Sequence, residues 1–168
     1  MLLLARGKTR IIPNSGTDLA IGQEASARST TSEQRSIRQS EMATYLLDTC
    51  IIIDTLNNKR NRSAALRTLL NAGHLLACCA INVTEVYTGL RPGEETVTEE
   101  FLSSLQYFPV SHAAAKLAGL LKRDYARKGV TLNLGDVTIA AVALQHNLAL
   151  LTDNLKDFPM KDLSLISP

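Results

Sequence analysis

Between residues 44 and 166, short uncharged runs alternate with longer segments in which apolar residues recur at helical spacing. The uncharged runs predict strands at 45–47, 75–79, 107–110, 148–152 and 163–166. The segments between them predict helices at about 51–57, 63–71, 83–90, 98–104, 111–129 and 136–146. Strands that alternate with helices form βαβ units with right-handed crossovers. We therefore expect an α/β fold with a central parallel sheet flanked by helices in three layers.

Length and composition agree with one compact domain. A chain of 168 residues, 45% of them hydrophobic, can bury one sizeable core but is too short for two ordinary domains. Aromatic residues make up only 4% and Trp is absent, so the core is built from aliphatic side chains, which suits helices packed on a sheet. The three cysteines include the adjacent pair Cys78 and Cys79 and fit neither a disulfide framework nor a CxxC metal site. We expect a cytoplasmic protein without a signal peptide or membrane span.

Residues 1–41 differ from the remainder in composition. They are rich in Ser, Thr, Arg, Gln, Gly and Ala without a sustained period, so we expect a disordered extension followed by a domain at 42–168. Met42, where the regular pattern begins, is a candidate natural start. The extension holds six of the 18 Lys and Arg residues and four of the 16 Asp and Glu residues, which accounts for the net charge of +2. The balanced remainder gives no global charge argument for nucleic-acid binding.

Four acidic residues occupy equivalent places relative to the expected strands. Asp48 and Asp153 directly follow strands, Glu85 lies one turn into the helix after the second strand, and Asp136 begins the apolar helix near the C-terminus. In a parallel sheet, strand C-termini and the following helix N-termini share one rim, where the ligand crevice forms. We therefore expect the four side chains to converge.

Converging carboxylates repel one another unless a divalent cation neutralises them. Oxygen ligands without His or Cys select Mg²⁺, with Mn²⁺ as a substitute, and such a metal can polarise a phosphodiester and activate water. Each acid alone also fits a structural role. Asn82 and Glu85 have the spacing of a capping box, Asp136 suits a helix start, and Asp48 and Asp153 suit turns.

Four stretches of the chain resemble the sequence motifs of PIN domains, in the family's order. They read YLLDTC at 45–50, INVTEV at 81–86 followed by Gly89, LGDVTIAA at 134–141 and LTDNLKDF at 151–158. The resemblance implies a PIN fold and Mg²⁺-dependent endoribonuclease activity on RNA. At this length it implies a VapC-like toxin of a type II VapBC toxin–antitoxin pair, and it assigns Asp48, Glu85 and Asp136 as catalytic acids and metal ligands.

The resemblance leaves the fourth acid open, because the last acid of VapC-like sequences stands at the position of either Asp153 or Asp157. We favour Asp153, which lies closer to the strand end. Polar residues beside these acids are expected to orient ligands or contact phosphate. These supporting residues are Thr49, Thr152 and Asn154. Cys50 stands where Ser or Asn is more usual, which makes a hydrogen-bonding role at that position doubtful.

Two groups of cations flank the expected crevice. Lys59, Arg60 and Arg62 follow the first acid's helix, and the long helix ends with Lys122, Arg123, Arg127 and Lys128. Either group can bind RNA phosphates, although cations at a helix C-terminus are also favoured by the helix dipole. The resemblance further implies a homodimer and a small VapB-like antitoxin with a basic side chain. Val97, Phe101 and Leu102 are candidate dimer contacts.

Two rival functions compete with the nuclease. A catalytically silent PIN-like module that binds RNA or protein is disfavoured because no acid of the set is missing. A dehalogenase-type phosphatase needs a second Asp two residues after the first, where this chain has Cys50.

Overall fold

The computed structural model describes residues 42–168, so the disorder predicted for residues 1–41 lies outside the described residues. The described part contains a five-stranded sheet with the order β3-β2-β1-β4-β5, in which every adjacent pair is parallel. The strands are β1 (Thr44–Leu47), β2 (Leu75–Cys79), β3 (Gln106–Phe108), β4 (Ala149–Leu151) and β5 (Leu165–Ile166). The predicted α/β class with a parallel sheet is confirmed.

Six α-helices flank this sheet in the described region. They are α1 (Thr49–Leu56), α2 (Arg62–Asn71), α3 (Ala80–Thr88), α4 (Glu95–Ser103), α5 (His112–Ala126) and α6 (Leu134–His146). A one-turn 3₁₀ helix (Leu155–Asp157) follows β4. None of the helices within residues 42–168 has the length and apolar character needed to cross a membrane.

The two faces of the sheet bury separate apolar clusters, because successive strand residues point in opposite directions. Leu46 and Leu150 join a cluster with residues of α5 and α6, whereas Leu47 and Leu151 join a cluster with residues of α1 to α4. In α6 every residue from 137 to 143 is buried. The chain therefore has the predicted three layers, with α6 as the most deeply buried helix.

Two helix starts differ from the sequence predictions. Helix α3 begins at Ala80, so Asn82 lies inside the helix, where its Oδ1 accepts from the backbone N–H of Cys79 (2.8 Å). Helix α6 begins before Asp136 and is capped by Asn133, whose Oδ1 accepts from the N–H of Gly135 (2.8 Å). The capping-box explanation for Glu85 is therefore wrong, whereas Asp136 does lie in the first turn of α6, where the helix dipole favours an acid.

Helix α4 also corrects the expected dimer surface. Val97 is 62% exposed, but Leu102 is buried in the cluster beneath α4 and Phe101 packs partly against that cluster. Leu102 is therefore a core residue, and the apolar surface available on this helix is smaller than the sequence predicted.

The strand order places a crevice at the centre of the sheet. The chain runs from β1 outward to β2 and β3, and then returns to the opposite side of β1 to form β4 and β5. In open parallel sheets, ligands bind beyond the carboxyl ends of the strands at such a reversal. The residues that follow β1 and β4 are therefore candidates for a ligand-binding site.

Candidate active site

Asp48 occupies the reversal point of the sheet. It follows β1 directly, and its backbone N–H donates to the carbonyl of Leu151 at the end of β4 (2.9 Å). Its buried side chain accepts two hydrogen bonds at the same oxygen, Oδ2, from Thr152 Oγ1 (2.6 Å) and Cys50 Sγ (3.2 Å). Cys50 therefore has the hydrogen-bonding role that its departure from Ser or Asn had placed in doubt. Two donors from two chain segments fix the orientation of this carboxylate.

Asn82 joins the ends of β1 and β2 beneath Asp48. Its side chain is fully buried, and its Nδ2 donates to the carbonyl of Leu47 (3.1 Å) and to Thr49 Oγ1 (3.0 Å), while its Oδ1 accepts from Cys79. Thr49 is thus a buried support of this junction. Sequence reasoning treated Asn82 only as a cap, although a polar amide where a strand passes into a helix was the available signal.

Glu85 approaches the first turn of α6 because residue 135 is a glycine. A Cβ atom at Gly135 would lie 2.5 Å from Glu85 Oε1 and 3.4 Å from Asn133 Oδ1. Real Cβ atoms do not tolerate the first of these contacts, so any larger residue would displace the Glu85 carboxylate. Gly135 is a second site residue that sequence reasoning did not single out.

Asp136 lies among other carboxylates. Burial, together with the negative charges of Asp48, Asp157 and Glu85, raises the pKa of its carboxyl to about 6. A raised carboxyl pKa is the expected result of like charges and partial desolvation. The structure therefore brings together Asp48, Glu85, Asp136 and Asp157.

Asp153, which the sequence favours as the fourth acid, is paired with two arginines. Its Oδ2 accepts from Arg60 Nη1 (2.9 Å) and from Arg62 Nη2. Strand β4 ends at Leu151 and a 3₁₀ turn covers Leu155–Asp157, and the negative charge of Asp157 contributes to the raised pKa of Asp136. Two arginines neutralise Asp153, and the position of Asp157 suits the fourth acid better.

The predicted RNA-binding cations fall into two classes. The Arg62 side chain is only 7% exposed and is already paired with Asp153, whereas Arg60 is 63% exposed but is also paired with Asp153. Lys59 is exposed. Arg123 and Arg127 stay largely exposed beside Asp124, at N–O distances of 3.0 and 3.8 Å. These exposed cations keep the capacity to contact phosphate.

The remaining supporting residues organise the segment after β4. Thr152 is fully buried, and its Oγ1 both donates to Asp48 and accepts from the backbone N–H of Asn154 (2.9 Å). The Asn154 side chain is exposed, so the hydrogen bond that this residue contributes here comes from its backbone.

The donor set suits a hard divalent cation. Within residues 42–168, no three Asp, Glu, His or Cys side chains are close enough to form a metal-binding group as they stand. Mg²⁺ usually keeps several waters and takes only one or two carboxylates directly, so acids spread around an open space fit it better than a closed cage. The repulsion that raises the Asp136 pKa is the force such an ion would relieve.

Residues 45–160 match the family model of the PIN domain. The chain belongs to the PIN domain family. This PIN domain is 31% identical over 115 residues to "Ribonuclease VapC19" of Mycobacterium tuberculosis, covering 68% of this chain and 92% of that relative. It is 31% identical over 122 residues to "Ribonuclease VapC2" of Haemophilus influenzae, covering 70% and 91%.

Solved structures agree with the PIN fold. VapBC2 from Rickettsia felis, bound to a promoter DNA fragment, superimposes with a TM-score of 0.66 at 25% identity over 74% of this chain and 98% of that chain. A toxin–antitoxin complex from Klebsiella pneumoniae gives 0.61 at 29% identity over 73% and 95%. The resemblance inferred from the four sequence motifs is confirmed, and the matched PIN segment contains all of the acids described above.

Proposed function

We propose that this protein is a cytoplasmic, Mg²⁺-dependent endoribonuclease of the VapC class that hydrolyses RNA phosphodiester bonds. The observation that carries the proposal is the convergence of three other acids on Asp136 at the reversal point of a parallel sheet. Its similarity to proteins named VapC ribonucleases supports the substrate.

The residues that would hold Mg²⁺ are Asp48, Glu85, Asp136 and Asp157, with Mn²⁺ as a possible substitute. When bound, the ion supplies positive charge that polarises the phosphodiester and activates water. Thr152 and Cys50 hold Asp48 Oδ2 in one orientation. Gly135 leaves room for the Glu85 carboxylate beside α6. These contacts fix the acids before substrate arrives, which lowers the cost of ordering them during the reaction.

Cleavage of RNA with and without the metal tests this proposal. The wild-type protein should cut RNA in Mg²⁺ but not in EDTA. The Asp48→Asn variant should cut RNA under neither condition. Asp162→Asn is the matched control, because Asp162 is an exposed acid outside the site. Cleavage that persists in EDTA and in Asp48→Asn would exclude this mechanism. RNA that is bound but never cut would indicate a silent PIN-like binding module instead.

We further propose that the protein acts as the toxin of a toxin–antitoxin pair, as a homodimer silenced by a small VapB-like antitoxin. Its structural neighbours include toxin–antitoxin complexes. An arginine side chain from the antitoxin would pair bidentately with the site carboxylates and compete with the cation. Exposed Val97 on α4 is a candidate contact of the homodimer.

Expression of the protein alone in bacterial cells should arrest growth, whereas the Asp48→Asn form should be tolerated. Purification from the native host should recover a small basic partner, and sizing of the complex should give a dimer of this chain. A harmless, monomeric, partner-free nuclease would overturn the toxin proposal and leave the nuclease proposal standing.

A further inference from the structure

The loop between α1 and α2 holds an unusual backbone. Three of its non-glycine residues, Asn58, Arg60 and Asn61, have left-handed φ angles of 51°, 51° and 53°. Asn adopts this backbone conformation readily, whereas for Arg60 it costs on the order of 1 kcal/mol and persists only where the surroundings enforce it. The unfavourable φ angle of Arg60 indicates that its surroundings hold this loop in place.

The strained loop directs two arginines at one acid across the site. Arg60 and Arg62 both donate to Asp153 Oδ2, and Arg60 Nη1 also lies 3.1 Å from Asp54 Oδ2. The side chains of Arg62, Asp54 and Asp153 are 7%, 14% and 23% exposed, so the network is largely shielded from water. It connects α1, the strained loop, the first residue of α2 and the segment after β4.

The network also leaves two buried polar atoms without a hydrogen bond. These are Asp54 Oδ2 and Arg62 Nε, which lie 4.0 Å apart, and Asp54 Oδ2 is also ion-paired with Arg60 Nη1 at 3.1 Å. Even a paired charge gains little net stability when it is buried, because desolvation offsets the attraction, so stability alone is a weak reason for this arrangement. A buried ionic network at a functional site is better explained by the geometry that it imposes.

The segment that contains Asp153 also contacts Asp48. Thr152, the residue before Asp153, donates to Asp48 Oδ2, and the Cys50 thiol donates to the same oxygen. One donor to Asp48 therefore belongs to the segment that the arginines hold, and the Cys50 thiol contacts the same carboxylate oxygen as that donor.

We propose that Arg62, assisted by Arg60, is a positioning residue, which anchors the segment after β4 through Asp153 and so fixes Asp48. Asp153 is then an anchor for the arginines and not a metal ligand. The consequence for cleavage rests on the proposed nuclease function, whereas the consequence for the conformation around Cys50 does not.

Alkylation of Cys50 by iodoacetamide, followed by mass spectrometry at one fixed pH, reports the conformation without any catalysis. Arg62→Gln and Asp153→Asn should each increase the alkylation rate of Cys50 roughly tenfold, in the range of changes that follow loss of a residue supporting a site. The buried Cys78 and Cys79 are internal controls for global loosening. Arg67→Gln is the matched control, because Arg67 is an exposed cation on the same helix.

Cleavage kinetics of the same variants complete the test. Arg62→Gln should lower kcat for RNA about ten- to a hundredfold with little change in KM, and Arg62→Lys should recover part of the loss because it keeps the charge. The double variant Arg62→Gln/Asp153→Asn should be no worse than the more impaired single variant, because both changes break one network. If Arg62→Gln does not fold, Asp153→Asn carries the same test.

Four results would overturn the proposal. Equal increases in the alkylation of all three cysteines would mean a purely structural role, and unchanged alkylation of Cys50 would mean no positioning. A raised KM with unchanged kcat would identify Arg62 as an RNA phosphate ligand. Complete loss of cleavage in Asp153→Asn, beside an unaffected Arg62→Gln, would identify Asp153 as a metal ligand. Absence of cleavage by the wild type would contradict only the proposed function, because alkylation of Cys50 still decides the positioning role.

Discussion

The carboxyl groups of Asp48 and Asp136 lie in different surroundings. Asp48 accepts hydrogen bonds from a hydroxyl and a thiol, which orient its carboxylate. Asp136 is partly buried and faces three other acids, so its pKa rises to about 6. Hydrogen-bond donors hold the Asp48 carboxylate in place. The Asp136 carboxylate is instead repelled by neighbouring acids, and a bound cation would relieve that repulsion.

Replacing Asp136 by asparagine should abolish RNA cleavage without destabilising the metal-free protein. The helix cap is Asn133, and the substitution removes a charge that other acids repel. We expect the Tm of Asp136→Asn in EDTA at pH 7 to equal or exceed that of the wild type. Thermal unfolding and a cleavage assay on the same preparation measure both effects.

The pH dependence of this difference has a definite sign. The folded wild type holds the Asp136 proton up to about pH 6, whereas the unfolded chain releases it near the ordinary pKa of 3.8. Between those values the folded state binds more protons, so the Asp136 contribution to stability falls as pH rises. The Tm advantage of Asp136→Asn should therefore grow from about pH 4 to pH 6 and then stay constant. A lower Tm at pH 7 would show that Asp136 chiefly stabilises the helix.

Gly135→Ala should separate stability from activity. Alanine in place of glycine at a compatible helical position adds about 0.4–1 kcal/mol of stability, but its Cβ would push the Glu85 carboxylate out of place. We expect an unchanged or higher Tm together with weaker cleavage. Gly119→Ala in α5 is the control, because a Cβ there meets no atom within 4 Å. Cleavage by Gly135→Ala at the wild-type rate would mean that the position of Glu85 is unimportant.

At the scale of elements, Asn82 couples the two central strands to the helices that follow them. Asn82→Ala removes three buried hydrogen bonds and leaves backbone groups of Leu47 and Cys79 without this partner. Each unpaired buried group costs about 1–3 kcal/mol, so we expect the free energy of unfolding to fall by roughly 2–4 kcal/mol. Urea denaturation measures the loss, with the exposed Asn71→Ala as control. Equal effects of the two variants would show that this junction is not a significant source of stability.

The sequence predicted elements best where one signal dominated. Strand β2 has the predicted bounds because five uncharged residues lie between two turns, and Ser111, the first residue of the predicted helix 111–129, caps α5, since its Oγ accepts from Ala114 N–H (3.0 Å). The start of α3 was missed because Asn82 has the composition of a cap, although its side chain reaches back to Cys79 from inside the helix. The residue type alone does not reveal whether an Asn precedes a helix or lies inside its first turn.

The prediction of the four acidic residues shows the same limit of local sequence patterns. Three acids could be predicted because each lies at a fixed offset from a strand or helix end. The choice between Asp153 and Asp157 depends on the 3₁₀ turn and on arginines more than 90 residues earlier in the chain. Periodicity carries no information about a pairing over that separation.

At the scale of the whole molecule, the reversal of strand order explains why the site lies beside the most buried helix. Strand β1 pairs with both β2 and β4, and the acids come from the segments that follow β1, β2 and β4 and from the first turn of α6. Moving any of these elements would shift one acid relative to the others. The central strand is therefore as important to the site as to the core.

The last prediction is that a chain beginning at Met42 keeps both fold and activity. Residues 46 to 163 supply all buried members of the two apolar clusters within the described region, and the family match begins at residue 45. Ala43 accepts a hydrogen bond from Leu75 N–H (2.9 Å), so a cut just before Met42 leaves the first strand pairing intact. Circular dichroism, Tm and RNA cleavage should match those of the full chain. A chain beginning at Leu47 is the contrasting control, because it lacks most of β1, which pairs on both sides, and should not fold. An insoluble or inactive Met42-start protein would show that residues 1–41 contribute to the folded domain.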